Sequence, residues 1–262
     1  MIISEKELPN ECTKVVEAEQ DQSHVVINTM DDALPPAYSD HVQHERIASS
    51  CSTELRPPSK PTNFLSLILK DKPIRGCYVI DPLIQIPLSL LPPLNAGETI
   101  QDRKNLYLRT KDGSINADIW LMGQDNAAPK NGSRTTLSLS SNDGNITAKI
   151  NTVKVVAPFL LDIYARDGRV TVLLPRSFHG SLLLTSRQSV KLSDDLLQRS
   201  TILSTVEHTR RYLVGDISHR MFGGDWNGDE LKVVSWDGRI MIRYMDEAEP
   251  AKTGFFSQIF SS

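Results

Sequence analysis

The sequence predicts an all-β domain, a β-solenoid or β-helix-like stack of about six strand pairs joined by Asp-Gly turns or degenerate versions of them. Two observations carry this expectation. First, Asp-Gly recurs at Asp112-Gly113, Asp143-Gly144, Asp167-Gly168 and Asp237-Gly238. Second, the flanks of each turn repeat. Leu106-x-Leu108 leads to Ile115-x-Ala117-x-Ile119, and Leu137-x-Leu139 leads to Ile146-x-Ala148-x-Ile150. Leu161-x-Ile163 leads to Val170-x-Val172-x-Leu174, and Leu231-x-Val233 to Ile240-x-Ile242-x-Tyr244. Apolar residues at every second position mark strands with one buried face. Asp-Gly is a strong turn signal, because glycine reaches positive φ without steric cost and the aspartate can bond its own turn.

Two architectures fit these units. In a sandwich of hairpins, Leu106 lies opposite Ile119, Leu108 opposite Ala117 and Thr110 opposite Ile115, with Tyr107, Arg109 and Lys111 on the polar face. In a solenoid, Ile115, Ile146 and Val170 stack in parallel register. The spacings between successive turns, about 31, 24 and 20 residues, suit either stack with connections of varying length. The solenoid is the preferred expectation. Two degenerate units extend the series. Asp71-Lys72 separates Leu65-x-Leu67-x-Leu69 from Ile74-x-Gly76-x-Tyr78, and Arg187-Gln188 separates Leu183 from Val190-x-Leu192. Neither has the turn glycine, so a different turn is expected there. A one-residue slip would expose every inward residue, so the register is well specified.

The repeat domain spans 63–247. Before it, residues 1–62 carry 11 acidic and 5 basic residues, few aromatics, and Pro9, Pro35, Pro36, Pro57, Pro58 and Pro61. Such a leader cannot bury enough apolar area to offset its chain entropy and is expected to be disordered. Asp81-Pro82, Ile86-Pro87 and Leu91-Pro92-Pro93-Leu94 form an extended connector whose apolar residues are expected across one end of the core. Gly123 to Ser133 reads as an exposed loop. Ser193-Asp194-Asp195-Leu196-Leu197 starts a short helix with Ser193 as N-cap, and Tyr212 to Asp216 reads as a strand. The tail, 248–262, has helical spacing at Phe255, Phe256, Ile259 and Phe260 and is expected to cap an end of the stack.

Net charge is −3, which gives no support to non-specific binding of nucleic acid or anionic membranes. The opening residues lack the apolar core of a secretory signal, and no apolar window is long enough to span a bilayer, so a cytoplasmic location is expected. Cys12, Cys51 and Cys77 are an odd number without metal-ligand spacing, which fits a reducing compartment. The sequons at Asn131 and Asn145 are read as chance matches in that setting.

No catalytic, cofactor or metal constellation emerges. The aspartates of the Asp-Gly turns are explained by turn chemistry, and paired-carboxylate catalysis would need two of them to flank a substrate. Asp225-Trp226-Asn227-Gly228-Asp229 begins like a calcium loop, but Glu230 and Trp236 stand where glycine and the bidentate glutamate belong. His179, His208 and His219 are scattered, and no nucleophile elbow surrounds Ser177. Trp120, Trp236 and Tyr164 stand out; Trp236 and Tyr164 fall on the nominally polar face, where an aromatic strip either stacks on sugars or a partner or lies under the 193–226 segment or the tail. Pro35-Pro36-Ala37-Tyr38 is the sharpest linear motif. A polyproline II segment followed by an amphipathic ring is what WW domains grip, so a WW-domain protein, such as a HECT-type ubiquitin ligase or its adaptor, is the expected partner.

Several segments resemble uncharacterised fungal proteins grouped as domain of unknown function 7330. They are Pro35-Pro36-Ala37-Tyr38-Ser39, Gly76-x-Tyr78-x-Ile80-Asp81-Pro82, Leu91-Pro92-Pro93-Leu94, the Asn105 to Ile119 unit, Thr171 to Gly180 and Val214-Gly215-Asp216. More distantly, the repeats are similar to bacterial adhesin-type β-repeat proteins with Asp-Gly turns. The resemblance implies no catalytic residues. The functional expectation is a non-enzymatic interaction or scaffold module. The alternatives are an adhesin-like carbohydrate- or surface-binding protein and, third, a β-helix enzyme acting on polysaccharide.

Overall fold

The computed structural model describes residues 57–94, 97–124, 134–216 and 228–247. The strands are β1 (Leu65–Ile68), β2 (Ile74–Ile80), β3 (Leu106–Thr110), β4 (Ile115–Met122), β5 (Thr135–Ser141), β6 (Ile146–Val153) and β7 (Phe159–Ala165). They continue with β8 (Val170–Leu174), β9 (Gly180–Thr185), β10 (Val190–Leu192), β11 (Ser200–Val206), β12 (Thr209–Val214), β13 (Asp229–Ser235) and β14 (Ile240–Tyr244). The single α-helix among the described residues, α1, is Asp194–Gln198. The domain is all-β.

Six strand–turn–strand units alternate between two open sheets. The eight-stranded sheet runs β1-β3-β5-β7-β13-β9-β12-β11, and the six-stranded sheet runs β10-β14-β8-β6-β4-β2. Each turn therefore crosses from one sheet to the other as an arch. The hairpin pairing expected as one alternative does not occur. Leu106 is registered with Leu65 and Leu137, while Ile115, Ile146 and Val170 stand in one parallel row. An arch faces the apolar sides of its two strands toward each other, whereas a hairpin puts both on one face that another hairpin must cover. Arching buries the same residues twice over, against the facing sheet and along the stack.

Leu106, Leu108, Ile119, Leu139, Ile150, Leu161, Ile163, Val172, Leu231, Val233 and Ile242 are all fully buried in a single core. Each such side chain contributes roughly 1.5–3 kcal/mol relative to exposure. The alternation reads correctly in either architecture, because it is a property of one strand rather than of its partner. The fifth unit needs one correction. Leu182 and Leu184 are the buried residues, and Leu183 lies on the outer face. Its turn is one residue shorter than the turn beside it, since Thr185 pairs with Val234 and Val190 with Ile240.

Order in space departs from order in the chain. The last arch, β13–β14, lies between β7–β8 and β9–β10. Asp229 fixes this position at the start of β13. One carboxylate oxygen accepts from the Phe159 N–H at the head of β7 (3.1 Å), and the other accepts from the His179 N–H just before β9 (3.0 Å).

The helix forms where the sequence places it. Ser193 Oγ accepts from the Leu196 N–H at 3.4 Å, and Leu196 is fully buried. The connector does not cover an end of the core as expected. It forms one short 3-10 turn, Leu88–Leu90; Leu83, Leu88 and Leu90 are exposed, and Ile84, Ile86, Leu91 and Leu94 are half-buried outside the core cluster. Four prolines deny it the backbone hydrogen bonds that would seat it as a strand or helix. The leader through residue 56, most of the 123–133 loop and the 248–262 tail lie outside the described residues.

Candidate interaction surfaces

The Asp-Gly turns form one edge of the stack, and glycine is required there for a reason other than the one expected. None of Gly113, Gly144, Gly168 or Gly238 has a φ in the left-handed region. Instead, a Cβ on Gly113 would lie 2.2 Å from the Lys72 carbonyl oxygen, and one on Gly144 would lie 1.9 Å from that of Gly113. Gly168 and Gly238 repeat the relation, each 2.0 Å from the oxygen of the turn before it, Gly144 and Gly168 respectively. The turns stack too closely for a side chain. Lys72 escapes because, among the described residues, no further turn is stacked beyond it.

A row of hydroxyls that sequence reasoning missed runs beside these glycines. Ser141 Oγ accepts from the Gly144 N–H (3.0 Å) and donates to the Gly113 carbonyl (2.8 Å). Thr110 accepts from the Gly113 N–H, and its hydroxyl lies 3.0 Å from the Lys72 carbonyl. Ser235 donates to Gly168 O, and Ser186 donates to Gly238 O. The row is broken at Ala165, which is fully buried and has no hydroxyl to offer. Ala165→Ser is expected to stabilise the domain by about 0.5–1.5 kcal/mol, the net worth of a buried hydrogen bond. Chemical denaturation checks this, and a lower midpoint would show that the site cannot admit the oxygen.

The turn aspartates are exposed and occupied by neighbouring cations. Arg166 bridges Asp143 and Asp167, Lys111 pairs with Asp112 at 3.7 Å, and Arg187 reaches Asp237 at 3.9 Å. They line one edge in separate turns rather than converging in a groove, which gives the polysaccharide-active reading no support. Among the described residues, no group of three or more histidine, cysteine, aspartate or glutamate side chains could hold a metal ion. Ser177 and His179 form no dyad. The Ser177 hydroxyl faces Thr152 at 3.4 Å, and the His179 ring lies against Gly215, where a Cβ would sit 2.3 Å from it. Of the calcium-like segment, Gly228 and Asp229 are described, and both oxygens of Asp229 are held by backbone N–H groups.

The three aromatics do not form one strip. Trp120 is 8% exposed on the six-stranded sheet, Tyr164 is 39% exposed on the eight-stranded sheet, and Trp236 sits at the turn edge with the Arg187 guanidinium 5.1 Å over its ring. Burial first, and then Asp118, push the neighbouring Cys77 thiol above its ordinary pKa, while Lys149 opposes the shift.

The outer face of the eight-stranded sheet is the broadest candidate surface. Register places Tyr107, Ser138, Asp162 and Lys232 in one row, and Arg109, Ser140, Tyr164 and Val234 in the next. Thr136, Ser138 and Ser140 on β5 carry smaller side chains than Tyr107 and Arg109 on β3 or Leu160, Asp162 and Tyr164 on β7. Desolvation, with a smaller contribution from Glu230, pushes the Asp162 carboxyl above its ordinary range, while Lys232 and Lys104 oppose the shift. Beside β1 and β3 lies a groove of about 370 Å³ lined by Phe64, Ile68, Pro92, Pro93, Arg103 and Tyr107. A second groove, about 440 Å³, lies by α1 and the outer face of β10 and β14. There Glu247 accepts from Ser193 Oγ at 2.9 Å.

Fold and surfaces together define an all-β domain of two sheets with a closely stacked turn edge. Residues 63–247 match the family model described as Domain of unknown function (DUF7330), and the chain belongs to that family. No curated protein and no solved structure matches the chain. Among the described residues, no helix is long and apolar enough to cross a membrane.

Proposed function

We propose that this chain is a non-enzymatic, intracellular interaction module in which a β-solenoid-like stack carries a WW-binding leader. The observation that carries this is Pro35-Pro36-Ala37-Tyr38, which precedes the domain; there Asp143 pairs with Arg166 in its turn, and Asp229 accepts from the Phe159 N–H. Pro35 and Pro36 supply the pre-ordered polyproline II turn, and Tyr38 supplies the ring that an aromatic groove accepts. The parallel register of Ile115, Ile146 and Val170 supports the solenoid description. The partner class is a WW-domain protein, such as a HECT-type ubiquitin ligase or its adaptor.

The full chain is expected to bind members of a WW-domain panel at micromolar affinity, and Tyr38→Ala is expected to weaken that binding more than tenfold. Equal binding by the variant, or no binding by either protein, removes the proposal. A second reading, an adhesin-like carbohydrate- or surface-binding role, is favoured by the exposed Tyr164 beside the serines of β5. A glycan array probed in parallel separates the two, since only the second predicts signal that Tyr164→Ala abolishes.

A further inference from the structure

We infer that the groove beside β1 and β3 binds a small organic anion with a flat apolar body, in its simplest form an aromatic carboxylate. The groove, about 370 Å³, has the size of a small-molecule site. Its lining joins two chemistries. Phe64, Pro92, Pro93 and Tyr107 supply apolar and aromatic surface, and Arg103 and Lys104 supply positive charge. Two acidic residues, Glu98 and Asp102, also border it, and each is already engaged. Asp102 Oδ2 accepts from the Thr99 N–H (2.9 Å) and from the Thr99 hydroxyl (2.7 Å), and Glu98 has a partner of its own.

Two further features single this groove out. The first is backbone strain. Phe64 has a φ of 54°, in the left-handed region that a bulky side chain rarely adopts. Asn63, 2% exposed, holds it there. Asn63 Oδ1 accepts from the Phe64 N–H (2.9 Å) and from Asn105 Nδ2 (2.7 Å), while Asn63 Nδ2 donates to the carbonyls of Pro82 (3.2 Å) and Ile84 (3.0 Å). One buried, fully bonded side chain therefore keeps Phe64 beside the groove in a conformation that glycine or asparagine would adopt with less strain. Strain of this kind collects at ligand sites.

The second feature is uncommitted charge. Arg103 is half-buried; its Nη2 donates to the Pro92 carbonyl (3.0 Å), and its Nε lies out of solvent with no hydrogen-bond partner among the described residues. Arg134, Arg166 and Arg176 each have a carboxylate partner, whereas among the described residues no ion pair involves Arg103 or Lys104. A buried charged donor without a partner is unfavourable, and a carboxylate offsets this once the guanidinium turns toward it and its N–H groups bind as a fork. Lys104 adds a second positive charge beside it. The rings of Phe64 and Tyr107 then accept the flat body of the same molecule.

A fluorescence titration of the native full chain with anilinonaphthalene sulfonate tests this. The probe is expected to bind, and naphthoate should displace it about tenfold better than the uncharged naphthyl alcohol does. Arg103→Gln and Tyr107→Ala should each weaken the probe more than about fivefold. Phe64→Asn suits the left-handed backbone, so it should weaken the probe while the melting temperature holds. If Arg103→Gln does not fold, the exposed Lys104 provides the charge test, with Lys104→Gln weakening the probe about twofold. Absence of native-state binding, equal displacement by acid and alcohol, or binding unchanged in these variants would overturn the inference. The WW-domain panel reads Tyr38 and this titration reads the groove, so either can fail alone.

Discussion

Gly144→Ala is expected to destabilise the domain by more than about 3 kcal/mol, enough to leave little folded protein at ordinary temperature. The added methyl would stand 1.9 Å from the Gly113 carbonyl oxygen. That oxygen already accepts the Ser141 hydroxyl, and it belongs to a turn held against the next one. Relief requires two stacked turns to separate, which breaks the hydroxyl row as well. Asp143→Asn, one residue away, is expected to cost less than about 1 kcal/mol, because Asp143 makes an exposed ion pair with Arg166. Urea titrations of the two variants check the contrast. Equal losses, or a larger loss for Asp143→Asn, would mean that the turns are held by their carboxylates rather than by their closeness.

Val233→Asp is expected to abolish cooperative unfolding. Val233 is fully buried on β13 and registered with Ile163 on one side and Leu184 on the other. A carboxylate there has no partner, so it must remain charged in a core or take up a proton, and either route costs several kcal/mol. The loss is expected to reach both halves of the sheet, because β7 and β9 meet only through β13. The outward neighbour supplies the control, since Val234→Thr changes a half-buried position and is expected to shift the midpoint little. Thermal unfolding followed by circular dichroism measures both. A cooperative transition retained in Val233→Asp would show that the two flanks fold without their central arch.

Much of the fold was legible because alternation is written within each strand. Leu106 and Ile119 face inward whether they pair with each other or not, so the core could be read before the architecture. The choice between hairpin and arch could not be read, because a four-residue turn permits both and only burial against a second sheet decides. The place of β13 was hidden for a related reason. Leu231 and Val233 present the same apolar face as Leu182 and Leu184, so alternation does not separate the two strands, and Asp229 distinguishes them only after its two backbone partners are known. β11 was missed because a strand exposed along its length shows no alternation. Tyr164 is exposed on the outer face that alternation assigns it, but alternation does not say which sheet a strand joins. Trp120 and Tyr164 lie on separate sheets.

The position of β13 and β14 has a consequence for how the chain must be assembled in time. Synthesis runs from the N-terminus, so β9 to β12 leave the ribosome before the arch that joins them to β7 and β8 exists. A repeat array normally extends one unit at a time as it emerges, each unit resting on the last. Here two finished rows of strands have to wait with facing edges uncovered until a later segment is inserted between them. Contacts so distant in sequence form slowly, and open edges are sites of misassembly while they wait. The nascent domain is therefore most exposed to capture by chaperones, or by other copies of itself, late in its synthesis, when most of its residues have already been made.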